Sequence, residues 1–218
     1  MGGRVLGHKW DPVSDTFTFQ PKVFLGKKGK SGAYTGPQLL PENLEASNSF
    51  TWSKAVVLST VASIFDPSGI ISAYTIKFKL FLREVCLVKD LGWDDPLPPD
   101  LMIRWRLLVE ELVCSPAITV QRSARPPDAV GQPYLVIFSD GSSVAYAAVV
   151  YMIYQLIDLK FAARLLLSKA RVAPLTGMTV PRTEMNGLVL GTKLGDLALS
   201  SMKERPSRVI SVWTRSAL

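Results

Sequence analysis

From Val5 to Leu25 the large apolar residues Leu6, Trp10, Phe17, Phe19, Val23 and Phe24 are separated by turn formers such as Asp11-Pro12 and Ser14-Asp15. That spacing predicts short strands joined as a hairpin. Residues 26–50 are poor in large apolar side chains and rich in Gly, Lys, Pro and Asn, the composition of a loop or linker. From Ser53 the period lengthens. Ala55, Val56, Leu58, Val61, Ala62 and Phe65 form a helical stripe, which Asp66-Pro67-Ser68-Gly69 stops with proline and glycine. A second helical pattern runs from about Ser72 to Leu87. A third follows Pro98-Pro99-Asp100 and carries Leu101, Trp105, Leu108, Leu112 and Val113. Short, proline-marked connections between three amphipathic segments predict a small helical bundle.

Residues 122–132, with Pro126-Pro127 and Val130 as the one large apolar side chain, have the character of a domain boundary. Beyond them the period falls to that of strands. Tyr134 to Phe138 is a continuous β-prone run that predicts a strand buried on both faces, ending in the turn Ser139-Asp140-Gly141-Ser142-Ser143. Ala145–Tyr154 and Phe161–Ser168 predict two more strands. Pro181 opens a long helical pattern through Leu199, and Arg208–Trp213 predicts a last strand. The expected fold class is therefore α/β in the α+β sense. It comprises a hairpin and linker over 1–50, a helical segment over 51–121 and a mixed sheet with one long helix over 133–218.

A hydrophobic content of 48 % with 20 % charged residues excludes wholesale disorder. The net charge of +7 is unevenly placed, because residues 160–218 hold ten Lys and Arg against Glu184, Asp196 and Glu204 alone. A basic segment of this kind suits a polyanionic partner, and equally suits a solvated face with none. Cys86 and Cys114, the two cysteines, each sit in an apolar run, which excludes a disulfide framework and a CxxC site and predicts buried thiols in a reducing compartment. The start Met1-Gly2-Gly3-Arg4 lacks the apolar stretch of a secretory signal. The longest apolar run, Val144–Tyr154, is shorter than the roughly 20 residues a membrane-spanning helix needs, so no membrane association and an intracellular location, cytoplasmic or nuclear, are expected.

Candidate chemistry is sparse. Gly29-Lys30-Ser31 imitates the end of a phosphate-binding loop, but Phe24 stands where that loop needs a glycine. His8 is the sole histidine, which excludes Ser-His-Asp and Cys-His catalysis within one chain. Asp94-Asp95 beside Pro96 reads as a solvated turn. Asp140 follows a strand directly, a common place for chemistry and, from position alone, a commoner place for a plain Asp-Gly turn. Glu184 falls in the first turn of the predicted long helix, where the helix dipole favours an acid with no functional reason needed. Taken together, a carboxylate at a strand end and another at the start of the following helix can converge on a divalent metal, as in two-metal phosphoryl chemistry.

Several segments resemble successive landmarks of one family: Leu6-Gly7-His8-Lys9-Trp10-Asp11, Ile64-Phe65-Asp66-Pro67-Ser68-Gly69, Trp93-Asp94-Asp95-Pro96-Leu97-Pro98, Phe138-Ser139-Asp140-Gly141-Ser142, Ser168-Lys169-Ala170-Arg171-Val172-Ala173-Pro174-Leu175 and Pro181-Arg182-Thr183-Glu184-Met185. The chain is similar to the polyprotein segment of BEL/Pao long-terminal-repeat retrotransposons, the Pao retrotransposon peptidase family, collinearly over almost its whole length.

The resemblance implies a reverse-transcriptase tail over 1–50, a connection over 51–121 and an incomplete RNase-H-like domain over 133–218. It gives Asp140 and Glu184 the role of Mg²⁺ ligands. A third carboxylate is expected where relatives read Trp-Thr-Asp-Ser, but this chain reads Trp213-Thr214-Arg215-Ser216. A guanidinium there would compete with Mg²⁺ for the remaining carboxylates. The sequence also stops before the last ligand-bearing elements. The expectation is a relic that binds Mg²⁺ unproductively, with residual affinity for an RNA–DNA hybrid through Lys160, Arg164, Lys169, Arg171 and Arg182. The alternatives are a structural module, with or without a protein partner completing its sheet, and an active Mg²⁺-dependent RNase H. Asp196 is too far along the helix to share a metal with Glu184. Neither a Tyr-x-Asp-Asp polymerase signature nor an aspartic-protease Asp-Thr/Ser-Gly occurs.

Overall fold

The computed structural model describes residues 4–5, 8–26, 29, 34, 36–175 and 177–213. These divide into two compact units, one formed by 1–65 with 77–120 and the other by 66–76 with 121–218. Most of the Gly29-Lys30-Ser31 stretch, and Arg215, lie outside the described residues.

In the first unit, β1 (Arg4–Val5), β2 (His8–Asp11) and β3 (Thr16–Phe19) pair antiparallel, with Trp10 opposite Phe17. A small ladder joins β4 (Val23–Phe24) to β5 (Gln38–Leu39), and a 3-10 turn spans Pro41–Ser47. The helices are α1 (Lys54–Ser63), α2 (Ser72–Leu87), of which residues 72–76 belong to the second unit, and α3 (Pro99–Val113). Strand β6 (Ile118–Gln121), which has no counterpart in the expected pattern, joins β3 at the sheet edge. Of the three helices expected to bundle, α2 and α3 are joined by aromatic contacts. Trp105 is fully buried and meets Phe78 edge-on at 5.5 Å, Phe81 at 5.2 Å and Trp52 at 5.6 Å. Ion pairs Arg104–Glu84 and Lys77–Glu111 flank this aromatic contact and fix the two helices as antiparallel. Cys86 and Cys114 are exposed, contrary to expectation. Val85 takes the core position that would otherwise suit Cys86, and Cys114 caps α3 after its last apolar turn.

The second unit carries β7 (Ala129–Gly141), β8 (Ala145–Leu156), β9 (Phe161–Val172), α4 (Val180–Ser201) and β10 (Arg208–Trp213). The sheet order is β10-β7-β8-β9. The first three strands form an antiparallel meander, and α4 carries the chain back so that β10 lies parallel to β7. One face of the sheet packs on α4 through Leu135, Ile137, Val150, Met152 and Tyr154 against Leu190, Leu194 and Ala198. Only that face is closed. Phe138, on the other, is 43 % exposed, so β7 is not the doubly buried strand its apolar run suggested.

A polar clamp locks the far end of this sheet. Arg125 pairs with Glu204 and also donates to the carbonyls of Ala129 and Gly131, while the Tyr154 hydroxyl donates to Glu204 at 3.3 Å. Burial, with the Glu204 carboxylate beside it, pushes the Tyr154 hydroxyl up to about 12. In the unfolded chain a tyrosine titrates near 10, so the unfolded state loses this proton first as pH rises. Tyr154 should therefore contribute stability that is constant below pH about 10 and is lost progressively between about 10 and 12. Comparing alkaline denaturation of the wild type with Tyr154→Phe checks this: the gap between the two midpoints should close across that window.

Candidate functional site

Close backbone approach builds the site. A methyl group placed on Gly141 would lie 2.5 Å from the Glu184 nitrogen and 2.4 Å from the Thr183 carbonyl carbon, and one on Gly187 would lie 2.7 Å from the Asp140 oxygen. The C-terminal end of β7 and the N-terminal turns of α4 therefore touch main chain to main chain. Thr183 completes the seam: fully buried, it donates its hydroxyl back to Val180 at 2.7 Å and presents no polar atom to the sheet. Gly191 and Gly195 extend the row against Ile137 and Ser139. These small residues at every fourth position were not singled out from sequence, although the spacing Thr183, Gly187, Gly191, Gly195 is visible there.

The seam brings Asp140 and Glu184 together at the level of backbone. Their side chains leave from different elements, Asp140 from the end of β7 and Glu184 from α4. Alternation along β7 sends Ser139 and Gly141 toward α4, so Asp140 projects to the opposite face with Phe138 and its cross-strand neighbour Ala147. It is exposed, and its Oδ1 accepts the Gly141 amide at 2.8 Å; both residues still pair with β8, so the turn expected over 139–143 falls instead after Gly141. On that face a pocket of about 450 Å³ opens. Phe138, Asp140, Ala147, Val149, Ser168 and Val212 are among its lining residues. Glu184 is half-buried on α4. Because α4 begins at Val180, with Pro181 inside its opening turn, Glu184 is the fifth helical residue and lies just past the first turn where it was expected.

Among the described residues no three His, Cys, Asp or Glu side chains gather as metal ligands. Two carboxylates by themselves supply fewer oxygen donors than a pair of Mg²⁺ ions requires. Asp196 is exposed farther along the same unbroken helix. Asp95 accepts the Gly92 amide at 2.7 Å, and the exposed Asp94-Asp95 pair forms a turn as expected.

The basic candidates separate into two groups. Lys160 sits in the β8–β9 turn, paired with Asp158 at 2.7 Å, and this pairing holds the Asp158 carboxyl below its ordinary value. Lys169 and Arg171 are exposed at the other end of β9. They pair with Ala148 and Tyr146 and so share the α4 face. A bulge between Val150 and Tyr151 shifts the register by one residue, which brings Arg164, opposite Met152, onto the same face despite its even number. Arg182 is exposed in the first turn of α4, one residue from the Gly141 contact. Gly141, Tyr146 and Arg171 form one cross-strand row, which sets Arg171 about 10 Å from Gly141 by strand spacing.

Two of the sequence landmarks, about a hundred positions apart, also meet. The Ser168 amide donates to the Ser68 carbonyl at 2.9 Å, the hydroxyls of Ser72 and Ser168 lie 2.6 Å apart, and Gly69, at φ +78°, lies against the Ser168 backbone. The Asp66–Gly69 turn is thereby held against β9.

An antiparallel meander extended by a parallel strand through a helical crossover, with acids at the end of the first strand and near the start of that helix, defines an RNase-H-like α+β protein. Residues 53–216 match the family described as Pao retrotransposon-like RNaseH-like domain, and the chain belongs to that family. The hairpin and linker before residue 53 lie outside the matched segment. No curated protein matches the chain. Among the described residues no helix is long and apolar enough to cross a membrane.

Proposed function

We propose that this chain is an RNase-H-like polyprotein module that has kept a nucleic-acid-binding face and lost two-metal hydrolysis. The carrying observation is that Lys169 and Arg171 stand exposed on one face of β9, with half-buried Arg164 farther along the same face and Arg182 near the Asp140 end of the sheet. Such a face binds a phosphate backbone through cations, without sequence preference. Loss of cleavage follows from the donor set. Asp140 and Glu184 are supplemented by no third acid among the described residues, and Arg215 stands where relatives carry Asp. On this reading residues 1–50 are the tail of a reverse transcriptase, 51–121 its connection, and the protein works inside the cell.

The test combines two measurements on one RNA–DNA hybrid. Affinity should fall linearly with salt on logarithmic axes, with a slope of about −3 if three to four cations reach phosphates. Incubation with Mg²⁺ should leave the hybrid intact. Binding that is absent at low salt, or Mg²⁺-dependent cleavage by purified protein, overturns the corresponding half of the reading.

A further inference from the structure

The register of β9 on β8 is not the simplest one its sequence allows. Residues 161–165 and 167–172 pair with β8 in two ladders offset by one position, and Leu166 is the extra residue between them. An uninterrupted ladder continuing the first of these would set Leu166 opposite Val150, Ser168 opposite Ala148 and Lys169 opposite Ala147. A one-residue slip turns every side chain to the other face. It would therefore carry Lys169 and Arg171 away from the α4 face, bring Ser168 and Ala170 onto it, and leave Arg164 where it is. The bulge decides where those two cations point, at the cost of a residue left out of the ladder.

Ser168 is where the bulged register is held. Its amide donates to the Ser68 carbonyl at 2.9 Å, and its hydroxyl lies 2.6 Å from that of Ser72. Slipping by one position would turn that amide inward to β8 and that hydroxyl toward α4, so both contacts exist in the bulged register alone. The opposing turn is itself braced. Asp66 accepts the Ile71 amide at 3.0 Å, and the Gly69 carbonyl accepts the Ser72 amide at 3.0 Å. Gly69 stands at φ +78°, and a Cβ on it would overlap the Ser168 carbonyl, so main chain meets main chain here. Ala170, the next residue on the Ser168 face, is buried, which a lysine or arginine in its place would not tolerate. Residues 66–76 and β9 belong to the same compact unit.

We propose that residues 66–72 form a register latch, in which Ser68, Gly69 and Ser72 act through Ser168 as positioning residues for the nucleic-acid-binding face. They hold the β9 bulge and so keep Lys169 and Arg171 on the face that carries Arg164. The inference rests on the reading of that face as the binding surface.

Gly69→Ala forces the turn off β9 and releases the bulge. The salt slope for an RNA–DNA hybrid should then shrink from about −3 to about −1, with affinity at low salt down about tenfold. Loss of folded protein alone lowers the fraction that binds and leaves the slope of the remainder unchanged, so the slope separates positioning from stability. Cysteine pairs in a Cys86→Ser/Cys114→Ser background, oxidised by diamide, read the register directly. Ala145→Cys/Val172→Cys is directly opposed in the bulged register and should cross-link, whereas Ala145→Cys/Arg171→Cys is opposed only in the slipped one and should not. Adding Gly69→Ala should reverse that preference. If Gly69→Ala does not fold, Ser72→Ala/Ser168→Ala removes only the hydroxyl pair and should raise the cross-link between 145 and 171 about fivefold; no rise overturns the latch. Cross-linking that stays at 145 and 172 in the Gly69→Ala protein, or a slope that stays near −3 once the preference has reversed, overturns the proposal. A wild type that binds no hybrid overturns instead the reading of the face, and the cysteine pairs then decide the latch alone.

Discussion

Gly141→Ala should destabilise the second unit by about 3 kcal/mol or more, among the largest effects of any single methyl group in this chain. Two features set the size. The added carbon would stand 2.4 to 2.6 Å from the carbonyl group of Thr183 and the amide nitrogen of Glu184, which are main-chain atoms inside a helix and have no rotamer to retreat into. Relief requires α4 to lift from β7, and that motion opens the Leu135, Ile137, Leu190 and Leu194 contacts along the same seam. Gly131→Ala is the matched comparison. Gly131 has φ +62°, but nothing lies within 4 Å of an added methyl, so its cost is confined to left-handed backbone strain, roughly 1–2 kcal/mol. Urea denaturation followed by circular dichroism measures both. If Gly141→Ala costs no more than Gly131→Ala, the main-chain contact between β7 and α4 is not what organises this end of the sheet.

That contact also marks where sequence reading stops. The long elements were legible because their periods are clean: α2 and β10 begin and end where the apolar spacing put them. The first strand of the sheet was foreshortened. Gly131 and Gln132 fell in the boundary segment, yet β7 runs through them by a register shift between Val130 and Tyr134. β9 continues four residues past Ser168 because Lys169 and Arg171, polar and at an edge, carry no apolar signal. Asp140 and Glu184 were correctly sited on a strand end and near a helix start, but alternation fixes a side chain's face only once the covered face is known. The run Tyr134–Phe138 is apolar at every position and conceals that face. The bulge is a stronger example. Counting parity along β9 separates Arg164 from Lys169 and Arg171, and one extra residue, invisible in composition, reunites them.

Reversing two of those charges supplies the largest functional effect. Lys169→Glu/Arg171→Glu should weaken binding to an RNA–DNA hybrid by about 100-fold at low salt and make the logarithmic salt slope shallower by about 2. The magnitude follows from counterion release, since each phosphate contact contributes a slope of nearly one, and two contacts are removed and replaced by repulsion. The loss should be the same for hybrids of different sequence, because cations on a sheet edge read the backbone and not the bases. Lys203→Glu serves as the control for net charge. It lies beyond the C-terminal end of α4, about 30 Å along the helix from Arg182, so it removes a comparable charge from the opposite end of the sheet to Lys169 and Arg171, the end where Arg164 lies. Were affinity set by the overall +7, the control would lose half as much as the double variant in logarithmic terms. A localised face predicts almost no loss from Lys203→Glu and almost no change in its slope. Equal losses per charge would show that the protein attracts nucleic acid as a diffuse cation, and the β9 face would then have no special standing.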